Sequence, residues 1–159
     1  MGSLEVSGRA IACALGRTGL TGDKREGDGA TPLGSFPLRR VLYRSDRCAP
    51  LTTSLPIAPI APDAGWCDSP SDPAYNRYVW LPYGASAERL WRDDHLYDVV
   101  VVLGHNDDPV MPGRGSAIFF HLAAPDFAPT AGCIAIAADA MREVLGRCGP
   151  TTVLTVRAE

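Results

Sequence analysis

Tyr97-Asp98-Val99-Val100-Val101-Val102-Leu103 is the stretch on which the fold turns. Four consecutive valines and a leucine, with no polar alternation, read as a strand buried on both faces. Two shorter apolar runs follow it, Ala117 to Leu122 and Cys133 to Ile136, and read as further buried strands. Beyond them Asp139 opens a helix. Its apolar stripe of Met141, Val144, Leu145 and Cys148 falls at i, i+3, i+4 and i+7 before Gly149-Pro150 stops it. Thr151 to Arg157 then reads as a closing strand.

Toward the N-terminus the signals are weaker. Leu4 to Leu15 alternates around Ser7-Gly8, the pattern of a short hairpin. Gly16 to Gly34 is a glycine-rich loop whose length suits a binding role. Ser35 to Tyr43 reads as a strand, and Pro37 within it favours an edge position. Cys48 to Pro73 carries Pro50, Pro56, Pro59, Pro62, Pro70 and Pro73, and is expected to be irregular, packing over the domain as a lid or flap. Tyr78 to Leu81 is a short strand, and Ala85 to Trp91 one or two helical turns. Together these make a mostly-β single domain over 1–159, a sandwich or open barrel with one helix near the C-terminal end.

Composition narrows the functional classes. An apolar fraction of 46% with 21% charged residues belongs to a globular chain. A net charge of −3 gives no electrostatic case for a nucleic-acid partner. No run approaches the roughly 18–20 apolar residues a membrane span requires, and no polybasic tract suits a membrane surface. The start shows no secretory leader, so a cytoplasmic location is expected, or a periplasmic one if a leader preceded Met1. Five cysteines without framework spacing argue against a disulfide scaffold.

Those cysteines also pose the chemical question. Thiol catalysis needs an imidazole nearby and backbone donors for the developing oxyanion. Cys133 follows Thr130-Ala131-Gly132 and opens a strand. Gly132 permits a sharp turn, aiming its own N–H and that of Cys133 at one point. His121 ends the preceding strand, and a strand–loop–strand path brings it back toward Cys133. A cysteine beside a strand is more commonly a small buried hydrophobe, as Cys13, Cys48, Cys67 and Cys148 are expected to be. Nucleotide and zinc signatures are absent: there is no Gly-Lys-Ser/Thr, no Cys-x-x-Cys and no His-Glu-x-x-His, so no cofactor or metal is expected.

Phe120-His121 with Thr130-Ala131-Gly132-Cys133-Ile134 resembles the motif of the L,D-transpeptidase (YkuD-domain) family: a histidine, a loop, then Ser/Thr-x-Gly-Cys and an aliphatic residue. Thr31-Pro32-Leu33-Gly34-Ser35-Phe36 resembles the family's Thr-Pro-x-Gly-x-Phe segment. The resemblance implies a β-rich YkuD fold and a substrate drawn from peptidoglycan stem peptides or muropeptides. It implies Cys133 as nucleophile and His121 as base, with a backbone carbonyl orienting the imidazole; Thr130 is the candidate for that third role. The bond attacked would join an L-centre, most often of diaminopimelate, to D-alanine. Water as acceptor makes an L,D-carboxypeptidase of muropeptide recycling, and an amine makes a cross-linking transpeptidase. Ala131 and Ala135 replace the polar residues common in the family, and only 11 residues separate His121 from Cys133.

His105 and Asn106, after the strongest strand, and Arg114, on the following loop, are candidates for the substrate's charged groups, as is Ala131 for shaping its site. A solvated turn is the plain alternative. A non-catalytic wall-binding module is the competing class, and thiol reactivity separates the two. A catalytic Cys133 is expected to have a depressed pKa. A papain-like protease fits less well, since its cysteine opens a helix.

Overall fold

The computed structural model describes residues 1–158; Glu159, the last residue of the expected domain, lies outside them. The chain opens with a hairpin of β1 (Gly2–Val6) and β2 (Arg9–Cys13), turning at Ser7 and Gly8, both at positive φ. Two short strands, β3 (Leu20–Thr21) and β4 (Thr31–Pro32), pair in parallel within the glycine-rich loop. Then come β5 (Gly34–Tyr43), β6 (Ile57–Pro59), β7 (Ala64–Cys67), β8 (Tyr78–Trp80), β9 (Ala87–Arg89), β10 (Val99–Leu103), β11 (Phe119–Leu122) and β12 (Ile134–Ile136). The helix α1 (Ala138–Leu145) and β13 (Val153–Val156) complete it.

The main sheet has the order β12-β11-β10-β5-β13, with β6 also on β5. The architecture is mostly β with one helix and several sheets, and no barrel closes among the described residues. The valine run lies in the sheet's middle and is buried on both sides, as its composition demands. Val99, Val101 and Leu103 face one core, with Met141, Val144 and Leu145 of α1 and the hairpin's Leu4 and Ile11. Val100 and Val102 face the other, with Trp66, Leu90, Tyr97, Phe119 and Cys133. This second core is covered by a three-stranded sheet of order β8-β7-β9, whose Trp66 meets Phe119 edge to face at 5.2 Å.

Four expectations are corrected. Far from an edge, β5 carries β10 on one side and β13 and β6 on the other. Pro37 is tolerated because its carbonyl accepts from Gly104 N–H at 2.8 Å, so its nitrogen also points past the end of β10, where no ladder bond is required. Residues 85–91 form no helical turn, since Ala87–Arg89 pairs with β7. The proline-rich segment 48–73 is not irregular throughout: β6 joins the main sheet and β7 is the buried centre of the small one. The helix also ends sooner, at Leu145, leaving Cys148 buried just beyond it. No helix among the described residues is long and apolar enough to cross a membrane.

Candidate active site

Register puts Cys133 and His121 on the same side of the main sheet. His121 stands opposite Val100 and Phe119 opposite Val102, so the imidazole shares the face covered by the small sheet. In the parallel β11–β12 pair Phe120 is matched with Ile134, which returns the chain so that Cys133 lies against Phe119. Both residues line one cleft of about 520 Å³ and are themselves buried, at 7% and 5% exposure.

Backbone groups hold the Cys133 sulfur and His121 Nδ1. The Cys133 thiol donates to Ala117 O at 3.3 Å, and its sulfur accepts the Phe119 N–H at 3.4 Å. A carbonyl only accepts, so the 2.8 Å contact of His121 Nδ1 with Leu122 O places the ring proton on Nδ1 and leaves Nε2 as an acceptor. The ring packs edge-on against Tyr97 at 5.0 Å. No hydrogen bond joins thiol and imidazole directly among the described residues.

Burial dominates their ionisation. It pushes the Cys133 thiol up to about 12, helped by the Glu88 carboxylate and opposed by the Phe119 N–H, Lys24 and the Tyr97 hydroxyl. It lowers His121 to about 4, against the pull of the Leu122 carbonyl. At neutral pH the pair is thiol and neutral imidazole. The expected depressed thiol pKa is therefore reversed, because burial outweighs the donors around the sulfur.

The turn before the thiol is braced from two distant segments. Thr130 Oγ1 donates to Cys133 O at 2.7 Å and accepts the Gly132 N–H at 3.1 Å. Thr31 Oγ1, wholly buried, reaches the same Cys133 carbonyl at 3.4 Å and accepts the Gly16 N–H at 2.8 Å. Gly132 sits at φ +139, where a Cβ would come within 2.8 Å of Ala30 O, so only glycine fits. Thr130 thus supports the cysteine turn and does not orient the imidazole, a task that Leu122 O performs. The two sequence segments carrying the family resemblance meet here.

The model of the YkuD family, described as the L,D-transpeptidase catalytic domain, matches residues 3–156. The chain belongs to the YkuD family. No curated protein and no solved structure matches it significantly. A YkuD domain is an L,D-transpeptidase-type enzyme domain, and its family acts on the peptide stems of peptidoglycan.

The rest of this YkuD cleft departs from the sequence reading. Ala131 lines it, but His105, Asn106 and Arg114 do not. His105 Nε2–H donates to Arg114 O at 2.9 Å while its ring meets Phe36 edge-on. Asn106 bonds Met111 and Gly115, shaping its own loop. Arg114 turns to Asp23 at 2.5 Å. These three build the β10–β11 connection behind the cleft; the polar cluster was legible, but its direction was not.

Other groups take their place on the walls. Tyr97 donates to Glu88 Oε1 at 2.5 Å, joining β9 to the head of β10. Ser116 donates to Glu26 Oε2 at 2.7 Å, and Tyr75 to the same oxygen at 2.5 Å. Burial raises the Glu88 carboxyl above its ordinary range. Lys24, Arg92 and Arg17 supply the cationic lining. Tyr97 alone left a trace in sequence, as an aromatic heading the buried strand; Glu88 left none, because β9 is too short to show a period.

Proposed function

We propose that the chain cleaves the bond between the L-centre of diaminopimelate and the terminal D-alanine of tetrapeptide stems, through a Cys133 thioester that water resolves. The observation that carries this reading is the meeting of Cys133 and an Nε2-accepting His121 in one cleft. The thiol turns from Ala117 O toward the imidazole. As sulfur adds to the carbonyl carbon, Nε2 takes its proton. The Gly132 N–H is engaged by Thr130 Oγ1, so the Cys133 N–H is the donor we assign to the oxyanion. Collapse breaks the C–N bond, His121 protonates the departing amine and D-alanine leaves. A water then gives its proton to His121 and adds to the thioester, and the C–S bond breaks with the proton returning to sulfur.

The neutral resting pair supports concerted proton transfer over a preformed ion pair. A cleft of about 520 Å³ suits one peptide end better than two strands, which favours water as acceptor. Five free thiols suit a reducing compartment, and we place the reaction in the recycling of released muropeptides.

The test is mass spectrometry of a disaccharide-tetrapeptide incubated with wild type and with Cys133→Ala. Loss of one alanine in the wild type alone is expected. A dimeric product would instead make the protein a cross-linking transpeptidase. A second reading, a wall-binding module with an inert thiol, draws on the thiol's hydrogen bond to Ala117 O and its raised pKa. Product from neither protein would favour it.

A further inference from the structure

Around Cys133 the chain offers a substrate no charge of its own: the turn and strand run Thr130-Ala131-Gly132-Cys133-Ile134-Ala135. Any recognition of an ionic group must come from neighbouring segments. The neighbour is the chain after β2, where Ala14 bridges to Ala135 and Gly16 to Thr130. The Arg17 N–H donates to Thr130 O at 2.9 Å, on the same residue whose hydroxyl holds the Cys133 carbonyl. Arg17 is thereby tied through its backbone to the nucleophile's turn, and its side chain lines the cleft from an exposed position.

The guanidinium is uncommitted. The cleft's other cations have carboxylates: Lys24 pairs with Asp28, and Arg92 with Asp94. Nearby, Arg25 and Arg114 share Asp23. Asp28, the acid next to the Gly29 that Arg17 covers, is also engaged by the N–H groups of Arg25 and Ala30. Arg17 makes no side-chain hydrogen bond or ion pair among the described residues. Its side chain lies over Gly29, where a Cβ would come within 2.9 Å of the guanidinium carbon, so the loop leaves room for it in this place.

We infer that Arg17 forms a carboxylate subsite at the mouth of the Cys133 cleft, taking the terminal carboxylate of the residue that leaves. The inference rests on the proposed thioester chemistry for its choice of substrate. In a tetrapeptide stem the scissile carbonyl is followed by a single D-alanine, whose carboxylate lies one residue beyond the attacked bond. A guanidinium fork matches a carboxylate in shape and charge. Held on the nucleophile's own turn, it distinguishes a chain end from an internal peptide bond, which an apolar wall cannot do. Arg17 is then a specificity-determining residue for a one-residue cut at a free C-terminus.

The test separates binding from turnover. A synthetic stem tetrapeptide ending in free D-alanine, and its C-terminal carboxamide twin, are titrated onto Cys133→Ala protein and onto the same protein carrying Arg17→Gln. The acid is expected to bind about 10- to 100-fold tighter than the amide where Arg17 is present, and about equally where it is glutamine. Arg17→Lys should keep part of the preference. Arg17 is exposed and its N–H bond to Thr130 survives substitution, so unchanged melting curves are expected. Equal binding of acid and amide, a preference that survives Arg17→Gln, or no binding of the acid would each overturn the subsite. Cleavage by wild type is scored independently: acid preference without cleavage removes the thioester reading and keeps the subsite, and cleavage without acid preference does the reverse.

Discussion

At the residue scale, the Cys133 carbonyl accepts from two threonines that are 99 positions apart, Thr31 and Thr130. Each hydroxyl also takes an N–H, Thr130 that of Gly132 and Thr31 that of Gly16, and only the Thr31 pair is fully buried. Thr31→Val keeps the shape and removes both bonds, leaving a buried donor without a partner. A loss of about 1–3 kcal/mol is expected in urea unfolding. Under the mechanism we propose, activity should fall further than that loss of folded protein explains, because the Cys133 turn loosens. Unchanged stability would show that Thr31 contributes only packing. The two motifs were legible as separate signals because each is a short local pattern. That they brace one carbonyl was not, since nothing local in either motif records the contact. Tyr97 and Glu88 were missed for the same reason: 2.5 Å apart in space, they owe their meeting to how the small sheet covers the valine strand.

At the element scale, a buried side chain ties the small sheet to the β10–β11 connection. Asn76, buried at 4% exposure, accepts from Trp66 Nε1 at 2.9 Å and from Ala117 N–H at 3.1 Å, and donates to His105 O and Asn106 O at 3.0 and 2.8 Å. It thus links the cover of the second core to the residue whose carbonyl holds the Cys133 thiol. Because Asn76 sits at φ +56, Asn76→Gly is the clean substitution: glycine accepts that backbone, so the loss reports the hydrogen bonds. Two buried donors and two half-buried carbonyls are stranded, and destabilisation of about 3 kcal/mol is expected by chemical denaturation. A loss below about 1 kcal/mol would mean that water replaces the amide fully. The valine run gave a strand from composition alone, since burial on both faces leaves no other use for it. Ala85 to Trp91 gave a false helix, because Ala-Glu-Arg-Leu favours one locally while pairing with β7 decides the outcome. Pro37 misled for a related reason, its tolerance in β5 depending on where β10 stops.

For the whole molecule, the pair that makes the site also shapes stability against pH. His121 is ordinarily half-protonated near 6.5, and burial lowers it to about 4 in the fold. Between those values the unfolded chain binds a proton that the folded chain refuses. The contribution is therefore fully present above 6.5 and is lost as pH falls toward 4, by about 3 kcal/mol in all. Cys133 acts in the opposite window. Its folded pKa of about 12 lies above the ordinary 9.0, so the unfolded chain ionises first and stability is lost as pH rises from 9.0 toward 12, by about 4 kcal/mol. Urea midpoints measured across pH should show a plateau between these limbs. His121→Gln should flatten the acid limb alone and Cys133→Ser the alkaline limb alone, since the other titrating groups are common to all three proteins. Parallel profiles for wild type and both variants would show that water reaches the pair in the folded chain, and with it that burial does not set the two pKa values. The plateau is also the range in which thiol and imidazole are both neutral. The burial that keeps them so lowers the thiol's reactivity in the resting protein; under the mechanism we propose, a bound peptide draws the sulfur from Ala117 O toward its carbonyl carbon and restores it where the substrate is.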